Sequence, residues 1–458
     1  MTEFVKRSAT WMAMAVRSRE VAAVELLDAH VERIAHRNPE VNALVLPRLD
    51  EARREARTID DALARGDAVG PLAGVPFTVK DSIPVGGMPW PNGSKLFADR
   101  VASEDAEAVR RLRSAGGILL GKTNVPEFAA WWDSVNLVFG ATANPHDTSR
   151  TAGGSSGGEA AALASGMSAL GLGSDLASSI RNPSHFCGVF GLKPGRDVVP
   201  IADHGSFPLA PGFRAMAVVG PMARTVDDLE LALGVLAPGY SARASDVRSV
   251  AVYEEDGLQP VSSDCRTAVR AAAGALESAG FAVVDAAPPN AAEVRAAFDT
   301  VVDTESVPAF RTLVSGREDE LSPYLQAMLE GSRDFEPSWD SYFDASALLA
   351  RLELEADAWF ARHGIALCPV AIEVAPPLGG SWSREIDGVP TRPGGKLTLA
   401  TYTSALGLPA VAVPALRGES GLPVGVQLSG GRGSERDLLA VARVLEQALG
   451  GWLDPDER

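Results

Sequence analysis

Short apolar segments that alternate with amphipathic helical patterns constrain the fold more than any other feature of this sequence. Apolar residues recur every three or four positions in the helical segments and run continuously in the segments between them. The alternation occupies residues 250–253, 267–279 and 281–284, and again residues 409–414, 424–428 and 435–449. It predicts an α/β protein in which helices cover both faces of a β-sheet.

Local signals place further elements in the N-terminal half. Ser18 is the expected N-cap of a helix that carries apolar residues at three- and four-residue spacing and ends at Asn38-Pro39. A second helix is expected over Leu49–Ala64, closed by Gly66, and a third after an N-cap at Ser103, stopped by the glycine pair 116–117. The apolar runs 75–79 and 118–120 predict strands.

Two later regions differ from the rest of the chain in composition and in their predicted secondary structure. Residues 290–365 are predicted to be mostly helical. Residues 373–395 are rich in glycine and proline and predict a surface loop.

Charge and cysteine content exclude several classes of protein. The chain of 458 residues has a formal net charge of -17, which disfavours binding to nucleic acid or to an anionic membrane. Cys187, Cys265 and Cys368 form no C-x-x-C pair, and the histidines form no metal-ligand pattern. The apolar stretch Ala9–Val16 is short for the apolar core of a signal peptide. We therefore expect a cytoplasmic protein without a metal or cofactor.

Residues 116–123 match the phosphate-loop pattern G-x-x-x-x-G-K-[ST]. That motif needs a strand before the loop and a helix after the Lys-Thr pair. Here an apolar strand lies inside the pattern, and Pro126 follows closely. The match does not predict a nucleotide site.

Residues 154–158 match the nucleophile elbow G-x-S-x-G, with Ser156 as the nucleophile. An elbow requires a hydrophobic strand directly before it. Residues Asn144–Ala152 are polar instead and are predicted to form a loop. An α/β-hydrolase type of enzyme that uses Ser156 stays open as an alternative.

A longer pattern spans residues 153–194. It begins with Gly153-Gly154-Ser155-Ser156-Gly157-Gly158-Glu159 and continues, after a helix of small residues, with Gly173-Ser174-Asp175-Leu176-Ala177-Ser178-Ser179-Ile180-Arg181. It closes with Phe186-Cys187-Gly188 and Gly191-Leu192-Lys193-Pro194. A single serine in such a context is typical of a turn, but the order and spacing of the whole segment are specific.

This segment resembles the amidase signature family. The resemblance extends to Gly70–Asp81, which is similar to the lysine strand of the family, and to Gly121–Phe128. It returns near the end of the chain at 407–410 and 421–427, and covers about residues 18–240 and 400–450. It implies the amidase signature fold, with a mixed twisted β-sheet core covered by helices on both faces.

The resemblance also implies how the chain is organised. We expect a single domain over residues 1–458, composed of an N-terminal helical part (1–69), a catalytic core (70–240), a variable substrate or lid region (241–395) and a C-terminal part of the core (396–458).

The same resemblance assigns roles to individual residues. The catalytic lysine of the family falls on Lys80, the bridging serine, which follows a cis peptide bond, on Ser155, and the nucleophile on Ser179. The remaining assignments are the oxyanion amides of Leu176, Ala177, Ser178 and Ser179, and the supporting side chains of Ser156, Asp175 and Arg181.

The chemistry of these residue types agrees with those roles. A serine hydroxyl needs an adjacent base, and a lysine is a base only when neutral. Burial lowers the pKa of a lysine because it disfavours the ammonium form. Ser155 can then pass the proton of Ser179 to Lys80 and return it to the leaving nitrogen, while backbone amides stabilise the oxyanion.

One departure from the family pattern precedes the nucleophile. The family usually has two glycines there, and this chain has Ala177-Ser178. If the loop requires a positive φ, these residues adopt it under strain. The choice of Ser179 over Ser178 depends on register with Ile180-Arg181.

The expected substrate is a small amide, ester or carbamate (urethane). In the family, the stretch that matches Ala129, Ala130, Trp131 and Trp132 lines the acyl channel, and Trp90 and Trp382 are further candidates. These residues favour an apolar or aromatic acyl compound. An amidotransferase A-type subunit of a tRNA-amidating complex is the alternative. We expect no nucleic-acid or membrane partner, and a homodimer is left open.

Overall fold

The computed structural model describes residues 3–201, 210–240, 247–392 and 397–457. Residues 202–209 of the expected catalytic core, residues 241–246 at the start of the expected variable region and residues 393–395 of the expected surface loop lie outside the described residues. The α-helices are α1 Ala9–Arg17, α2 Ala23–Val41, α3 Leu49–Arg65, α4 Glu107–Ser114, α5 Gly157–Ala164, α6 Arg181–Cys187, α7 Pro211–Met216, α8 Val226–Leu236, α9 Ser263–Ser278, α10 Ala291–Val314, α11 Pro323–Gly331, α12 Trp339–His363, α13 Thr398–Ala405 and α14 Glu435–Leu449.

The strands in the same ranges are β1 Leu44–Pro47, β2 Pro76–Lys80, β3 Ile118–Thr123, β4 Val135–Asn136, β5 Gly140–Ala141, β6 Ala143–Asn144, β7 Asp147–Thr151, β8 Leu170–Asp175, β9 Phe190–Lys193, β10 Val218–Ala223, β11 Ser249–Val252, β12 Ala282–Asp285, β13 Ile365–Pro369, β14 Glu385–Ile386, β15 Val389–Pro390, β16 Ala410–Arg417 and β17 Pro423–Gly430. Eleven of them form one sheet, in the order β1-β3-β2-β8-β10-β9-β16-β17-β13-β11-β12.

The large sheet is mixed. β2 pairs in parallel with β3 and β8, and β11 pairs in parallel with β12 and β13, whereas β8, β10, β9, β16 and β17 run antiparallel in succession. Helices α8, α9 and α14 contact the sheet, and α14 also contacts both α8 and α9. Helices α5 and α6 form a second group against the sheet. The expected α/β fold, a mixed sheet covered by helices, is confirmed.

Most of the predicted elements are present, and α14 has the predicted bounds. The polar run 144–152, predicted as a loop, contains the hairpin β6–β7. Its second strand is mostly exposed, so it is still not the buried strand that a nucleophile elbow requires. The predicted surface loop contains the short hairpin β14–β15.

The predicted start of the long N-terminal helix was wrong. Ser18 is the C-cap of α1, and α2 begins at Ala23. No local side chain caps α2. Instead, the Asp60 carboxylate of α3 accepts hydrogen bonds from the N–H groups of Ala23 and Val24, at 2.7 and 3.1 Å. A cap supplied by another helix leaves no signal in the local sequence.

Two further boundaries differ from prediction. α2 continues through Pro39 to Val41, and the Asn38 side chain binds the amides of Ala43 and Leu44 just beyond its end, at 2.9 Å. Helix α4 begins at Glu107, and Ser103 does not cap it. Within the described ranges, no helix combines the length and hydropathy that spanning a bilayer requires.

Candidate active site

Parallel pairing of β2 and β8 brings two of the predicted catalytic segments to one edge of the sheet. Thr78 lies opposite Gly171 and Val79 opposite Leu172, so the carboxyl ends of both strands coincide. Lys80 is the last residue of β2, and Asp175 is the last residue of β8. Side chains at this edge converge because parallel strands end together.

The Lys80 ammonium nitrogen lies among serine oxygens. Lys80 Nζ is 2.7 Å from Ser155 Oγ, 2.9 Å from Ser174 Oγ and 3.3 Å from the carbonyl oxygen of Ser174. The Gly154–Ser155 peptide bond is cis, as expected from the sequence. Lys80 and Ser155 are both buried. The structure thus brings together two of the three predicted catalytic residues by direct contact.

Burial controls the charge of Lys80. Desolvation lowers the pKa of Lys80 to about 7, against the opposing effect of the carboxylates of Asp175 and Glu159. Glu159 is itself fully buried, and its carboxylate accepts hydrogen bonds from the hydroxyls of Thr78 and Thr123, at 2.6 and 2.7 Å. Burial raises the pKa of Glu159 to about 8, although these hydrogen bonds act in the opposite direction. Near neutral pH a substantial fraction of Lys80 is therefore the neutral amine.

The loop after β8 is organised by the Asp175 carboxylate. It accepts hydrogen bonds from the N–H groups of Ser178 and Ile180, at 2.8 and 3.0 Å. It also forms an ion pair of 2.9 Å with Arg181. Burial raises the pKa of Asp175, but the Arg181 guanidinium outweighs this effect and holds the pKa below its usual value.

Arg181 connects this loop to the C-terminal part of the chain. Its guanidinium donates to Thr403 Oγ1 at 2.7 Å, to Ser404 Oγ at 2.8 Å and to Gln427 Oε1 at 2.6 Å. Arg181 is fully buried, and its donors are matched by this set of acceptors. Asp175 and Arg181 thus connect the loop to its surroundings through hydrogen bonds and an ion pair.

The two adjacent serines have different environments. Ser178 is buried, and its Oγ has no hydrogen-bond partner among the residues the structure describes. Ser179 is half-buried, and its carbonyl oxygen accepts a hydrogen bond from the N–H of Ser156 at 3.1 Å. Of these two residues, only Ser179 is partly accessible to solvent. This difference favours Ser179 over Ser178 as the nucleophile.

The backbone of Ser178 is strained, as expected for a serine at a position where the family usually has glycine. Its φ is +92°, in the left-handed region that favours glycine. Strain of this kind costs about 1–3 kcal/mol. The buried hydroxyl without a partner adds an unfavourable desolvation term.

We expect Ser178→Gly to increase the free energy of unfolding by about 1 kcal/mol. Strain and a buried unpaired hydroxyl are removed together, and the added freedom of glycine in the unfolded chain offsets part of the gain. Urea denaturation of wild type and variant measures the difference. Ser178→Ala is the matched control, because it removes the hydroxyl but keeps the strained φ. A glycine variant less stable than the alanine variant would contradict this account.

The amides of the loop divide into two sets. The N–H of Ser178 is engaged by Asp175, so the expectation that this amide faces the oxyanion is revised. The N–H groups of Leu176, Ala177 and Ser179 donate to no protein group in the described part of the chain. Leu176 and Ala177 are half-buried, as Ser179 is. These three amides remain candidates for the oxyanion site.

Ser156 supports the start of α5 and the end of β8. Its Oγ lies 3.2 Å from the carbonyl oxygen and 3.3 Å from the nitrogen of Ser174. A side chain at Gly158 would meet the backbone nitrogen of Asn124 at 2.4 Å, so only glycine permits this close approach of α5 to β3. Ser156 is fully buried, which argues against a role as nucleophile.

The predicted tryptophan segment adjoins this site. A Cβ at Gly154 would lie 2.8 Å from the carbonyl carbon of Trp132, so the backbone of that segment packs directly on the Gly154–Ser155 peptide. Trp132 contacts Trp382 with ring centroids 5.0 Å apart, which brings the predicted loop tryptophan to the same place. Trp131 stacks on Tyr324 at 5.1 Å.

The other predicted substrate-binding residues have mixed environments. Ala129 and Ala130 are half-buried, and Ala129 has a φ of +56°. Trp90 has one ring face covered by the guanidinium of Arg100, 3.6 Å from the ring centroid. Its indole N–H donates to the carbonyl oxygen of Ser82 at 3.2 Å. Trp90 thus has packing contacts of its own, and its contact with substrate stays a prediction.

Sequence reasoning missed Ser174 and Glu159 as neighbours of Lys80. Ser174 stood out only as part of a motif, and its contact with Lys80 depends on the pairing of β2 with β8. Glu159 looked like an ordinary acidic residue in the first turn of a helix. Both lie inside the motif segment, which was the only available signal.

Lys122, the lysine of the phosphate-loop match, is buried and forms an ion pair of 2.7 Å with Asp81. Its ammonium group is therefore paired with the residue that directly follows Lys80. Among the described residues, no group of three or more His, Cys, Asp or Glu side chains is arranged to hold a metal ion.

Comparisons with known proteins agree over nearly the whole chain. The family model described as Amidase matches residues 25–439. The A subunit of the glutamyl-tRNA(Gln) amidotransferase of Nitratidesulfovibrio vulgaris (strain DP4) is 33% identical over 488 residues, which cover 95% of this chain and 95% of that protein. Fatty-acid amide hydrolase 2 of Homo sapiens is 31% identical and covers 97% of this chain and 89% of that protein.

A solved structure is similar over the same length. A bacterial aryl acylamidase of the amidase signature enzymes has a TM-score of 0.85 at 26% identity, covering 96% of each chain. Fold and matched length together define a hydrolase of the amidase class. The chain belongs to the amidase signature family.

Proposed function

We propose that this protein hydrolyses carboxylic amides through an acyl-enzyme on Ser179. The observation that carries the proposal is the contact between Lys80 Nζ and Ser155 Oγ at 2.7 Å, with the lysine fully buried. A lysine of pKa about 7 can accept a proton near neutral pH, which a free lysine cannot do efficiently.

The proposed reaction begins with attack of Ser179 Oγ on the carbonyl carbon. The hydroxyl proton of Ser179 passes to Ser155, and the proton of Ser155 passes to Lys80 Nζ. When the tetrahedral intermediate collapses, the carbon–nitrogen bond breaks, and the proton returns through Ser155 to the leaving nitrogen. Water then attacks the acyl-enzyme and gives a proton through Ser155 to Lys80. The bond between Ser179 Oγ and the acyl carbon breaks, the proton returns to Ser179 Oγ, and the carboxylic acid leaves.

The oxyanion of the intermediate is assigned to the free amides of Leu176, Ala177 and Ser179. An oxyanion donor contributes about 3–4 kcal/mol to transition-state stabilisation in the best-studied hydrolase. Asp175 and Arg181 fix the loop that presents these amides, so their role is to position them. Preorganisation of this kind requires a rigid loop, and the buried ion pair supplies it.

The proposed substrate is an apolar or aromatic acyl compound, with amides preferred and esters or carbamates as secondary substrates. The tryptophans beside Gly154 support this choice, because aromatic side chains bind apolar groups with little loss of conformational freedom. The similarity to an aryl acylamidase points to the same class.

An amidotransferase A-type subunit is the second candidate. The similarity to the A subunit of a glutamyl-tRNA(Gln) amidotransferase, at 33% identity over 95% of both chains, favours it. The net charge of -17 and the aromatic segment disfavour it, because a tRNA complex favours basic surfaces and a glutamine-derived acyl group is polar.

A screen with the purified chain alone separates the two candidates. We expect turnover of an aryl anilide, with slower turnover of a matched ester and carbamate, and no requirement for a second subunit. Trp131→Ala should raise KM for the anilide about tenfold with a smaller change in kcat, because an aromatic contact to the acyl group is lost.

The control for Trp131→Ala is Trp339→Ala, since Trp339 is 70% exposed on α12. Equal effects of the two variants would argue against an acyl-binding role of Trp131. Activity that appears only with glutamine and a tRNA-bound partner complex would favour the amidotransferase.

We also propose that the protein acts in the cytoplasm. Its three cysteines are free and buried, so none of them depends on an oxidising compartment. A homodimer stays open, and sedimentation of the purified chain measures it.

A further inference from the structure

Strand β11 is a topological switch point of the sheet. It pairs in parallel with β12 on one side and with β13 on the other. The chain leaves β11 through α9 to reach β12, and it leaves β12 through α10–α12 to reach β13 on the opposite side. Loops separate at the carboxyl edge of such a strand and leave a crevice in which α/β proteins commonly bind ligands.

A cavity of about 140 Å³ lies at this edge. Its walls come from the residues that follow β11 and β12, the first turns of α10, and α13. The volume is similar to that of a cavity that holds benzene, so it suits a ligand of roughly five to eight non-hydrogen atoms. Leu399 and the rings of Tyr253 and Tyr402 supply apolar surface.

Two residues of the cavity wall each have one side-chain oxygen without a hydrogen-bond partner among the described residues. Asp256 Oδ1 accepts a hydrogen bond from the N–H of Leu258 at 2.9 Å, but Asp256 Oδ2 is buried and has no partner among the described residues. Thr398 is only 6% exposed, and its Oγ1 is likewise unpartnered within the described ranges. Buried polar atoms in native proteins are nearly always hydrogen-bonded, so these two oxygens leave hydrogen-bonding capacity unmet beside the cavity.

The charges around the cavity favour a cation. Glu255 is paired with Arg266 at 3.2 Å, and Arg295 is paired with Asp299 at 2.8 Å. The charge of Glu255 is offset only in part, because Arg266 also pairs with Asp387 at 2.9 Å, and the carboxylate of Asp256 adds a further negative charge. We propose that this cavity binds a small organic ammonium ion, with Asp256 and Thr398 as acceptors and its apolar part against the tyrosine rings.

This site is distinct from the candidate active site. None of Lys80, Ser155 and Ser179 lines the cavity. Helix α13 separates the two places, because Thr403 and Ser404 bind Arg181, whereas Thr398 and Leu399 face the cavity. The proposal therefore does not depend on the catalytic roles assigned above.

Isothermal titration of the full chain with n-butylammonium chloride tests the proposal. Butan-1-ol and pentanoate are matched probes of similar size that are neutral and anionic. We expect saturable binding of the ammonium ion alone. Asp256→Asn should weaken it about tenfold or more, because a charge-assisted hydrogen bond is lost, and Thr398→Val should weaken it a few-fold.

The control variant is Asp61→Asn, which removes one negative charge from an exposed position on α3 and should bind as wild type does. Thermal unfolding checks that the variants fold. If Asp256→Asn does not fold, the binding affinity of Thr398→Val tests the proposal instead. This variant is expected to fold because valine has the same shape as threonine. Absence of saturable binding, equal affinity for butan-1-ol, or unchanged binding in the folded cavity variants would overturn the proposal.

Discussion

Ser179→Ala is expected to lower kcat on an aryl anilide by about four orders of magnitude or more, whereas Ser156→Ala retains measurable activity. In the Ser179→Ala enzyme, neither of the neighbouring serine hydroxyls is placed to replace Ser179 as the nucleophile. Ser178 Oγ is buried, and Ser156 Oγ is bound to the backbone of Ser174. Single-turnover kinetics measure the loss, and peptide mapping of the acyl-enzyme trapped with an aryl ester identifies the acylated residue.

The same experiment distinguishes the three candidate serines. Ser178→Ala should remain active, because only its backbone contributes to the loop through the bond to Asp175. An acyl group on Ser156, or an active Ser179→Ala variant beside an inactive Ser156→Ala variant, would instead support a nucleophile elbow. The circular dichroism spectra of the three variants should agree, since each removes one hydroxyl group.

Much of the fold could be predicted because its signals are local. Helix α14 has the predicted bounds, since an acidic first turn and a regular apolar stripe define both of its ends. The strand before Lys80 was predicted from a short apolar run, and all of its residues are buried. The start of α2 could not be predicted, because its cap is Asp60 from α3.

The residues of the candidate site also form two groups: some carry a local sequence signal, and the others become neighbours only when the chain folds. Lys80, Ser155 and Ser179 were predicted from a motif, whereas Ser174 became a neighbour of Lys80 only through strand pairing. The partners of Arg181 on α13 and β17 are more than two hundred residues distant in sequence. Their residue types are common, so only the folded chain identifies them. Long-range hydrogen bonds of this kind leave no periodic pattern.

The pKa of Lys80 should determine how the activity of the enzyme depends on pH. Because the neutral amine is the proposed base, kcat/KM should rise with pH through a midpoint of about 7 and reach a plateau above it. The midpoint lies far below that of a free lysine because burial disfavours the ammonium, although Asp175 and Glu159 oppose this effect. Rates should be measured on a neutral anilide, because the pH dependence then comes from groups of the enzyme and not from ionisation of the substrate.

A midpoint near 7 does not by itself exclude a histidine base, whose ordinary pKa is about 6.5. The structure makes that alternative testable. Burial lowers the pKa of three histidines to about 4, namely His30 and His185, which are buried, and His146, which is half-buried. His185 is also bonded to the backbone of Glu373 and Gly425. None of these three accounts for a titration near 7.

Substitution of Lys80 decides between the two bases. Lys80→Arg should lose activity as completely as Lys80→Ala, by about three orders of magnitude or more, because a guanidinium stays protonated and cannot accept the proton. Lys193→Met is the matched control, since burial also lowers the pKa of Lys193 to about 7 but its Nζ donates to the carbonyl oxygen of Leu408, at 2.8 Å. That variant should keep the midpoint even if it is less stable. An active Lys80→Ala enzyme, or a midpoint that disappears in Lys193→Met, would mean that Lys80 is not the base.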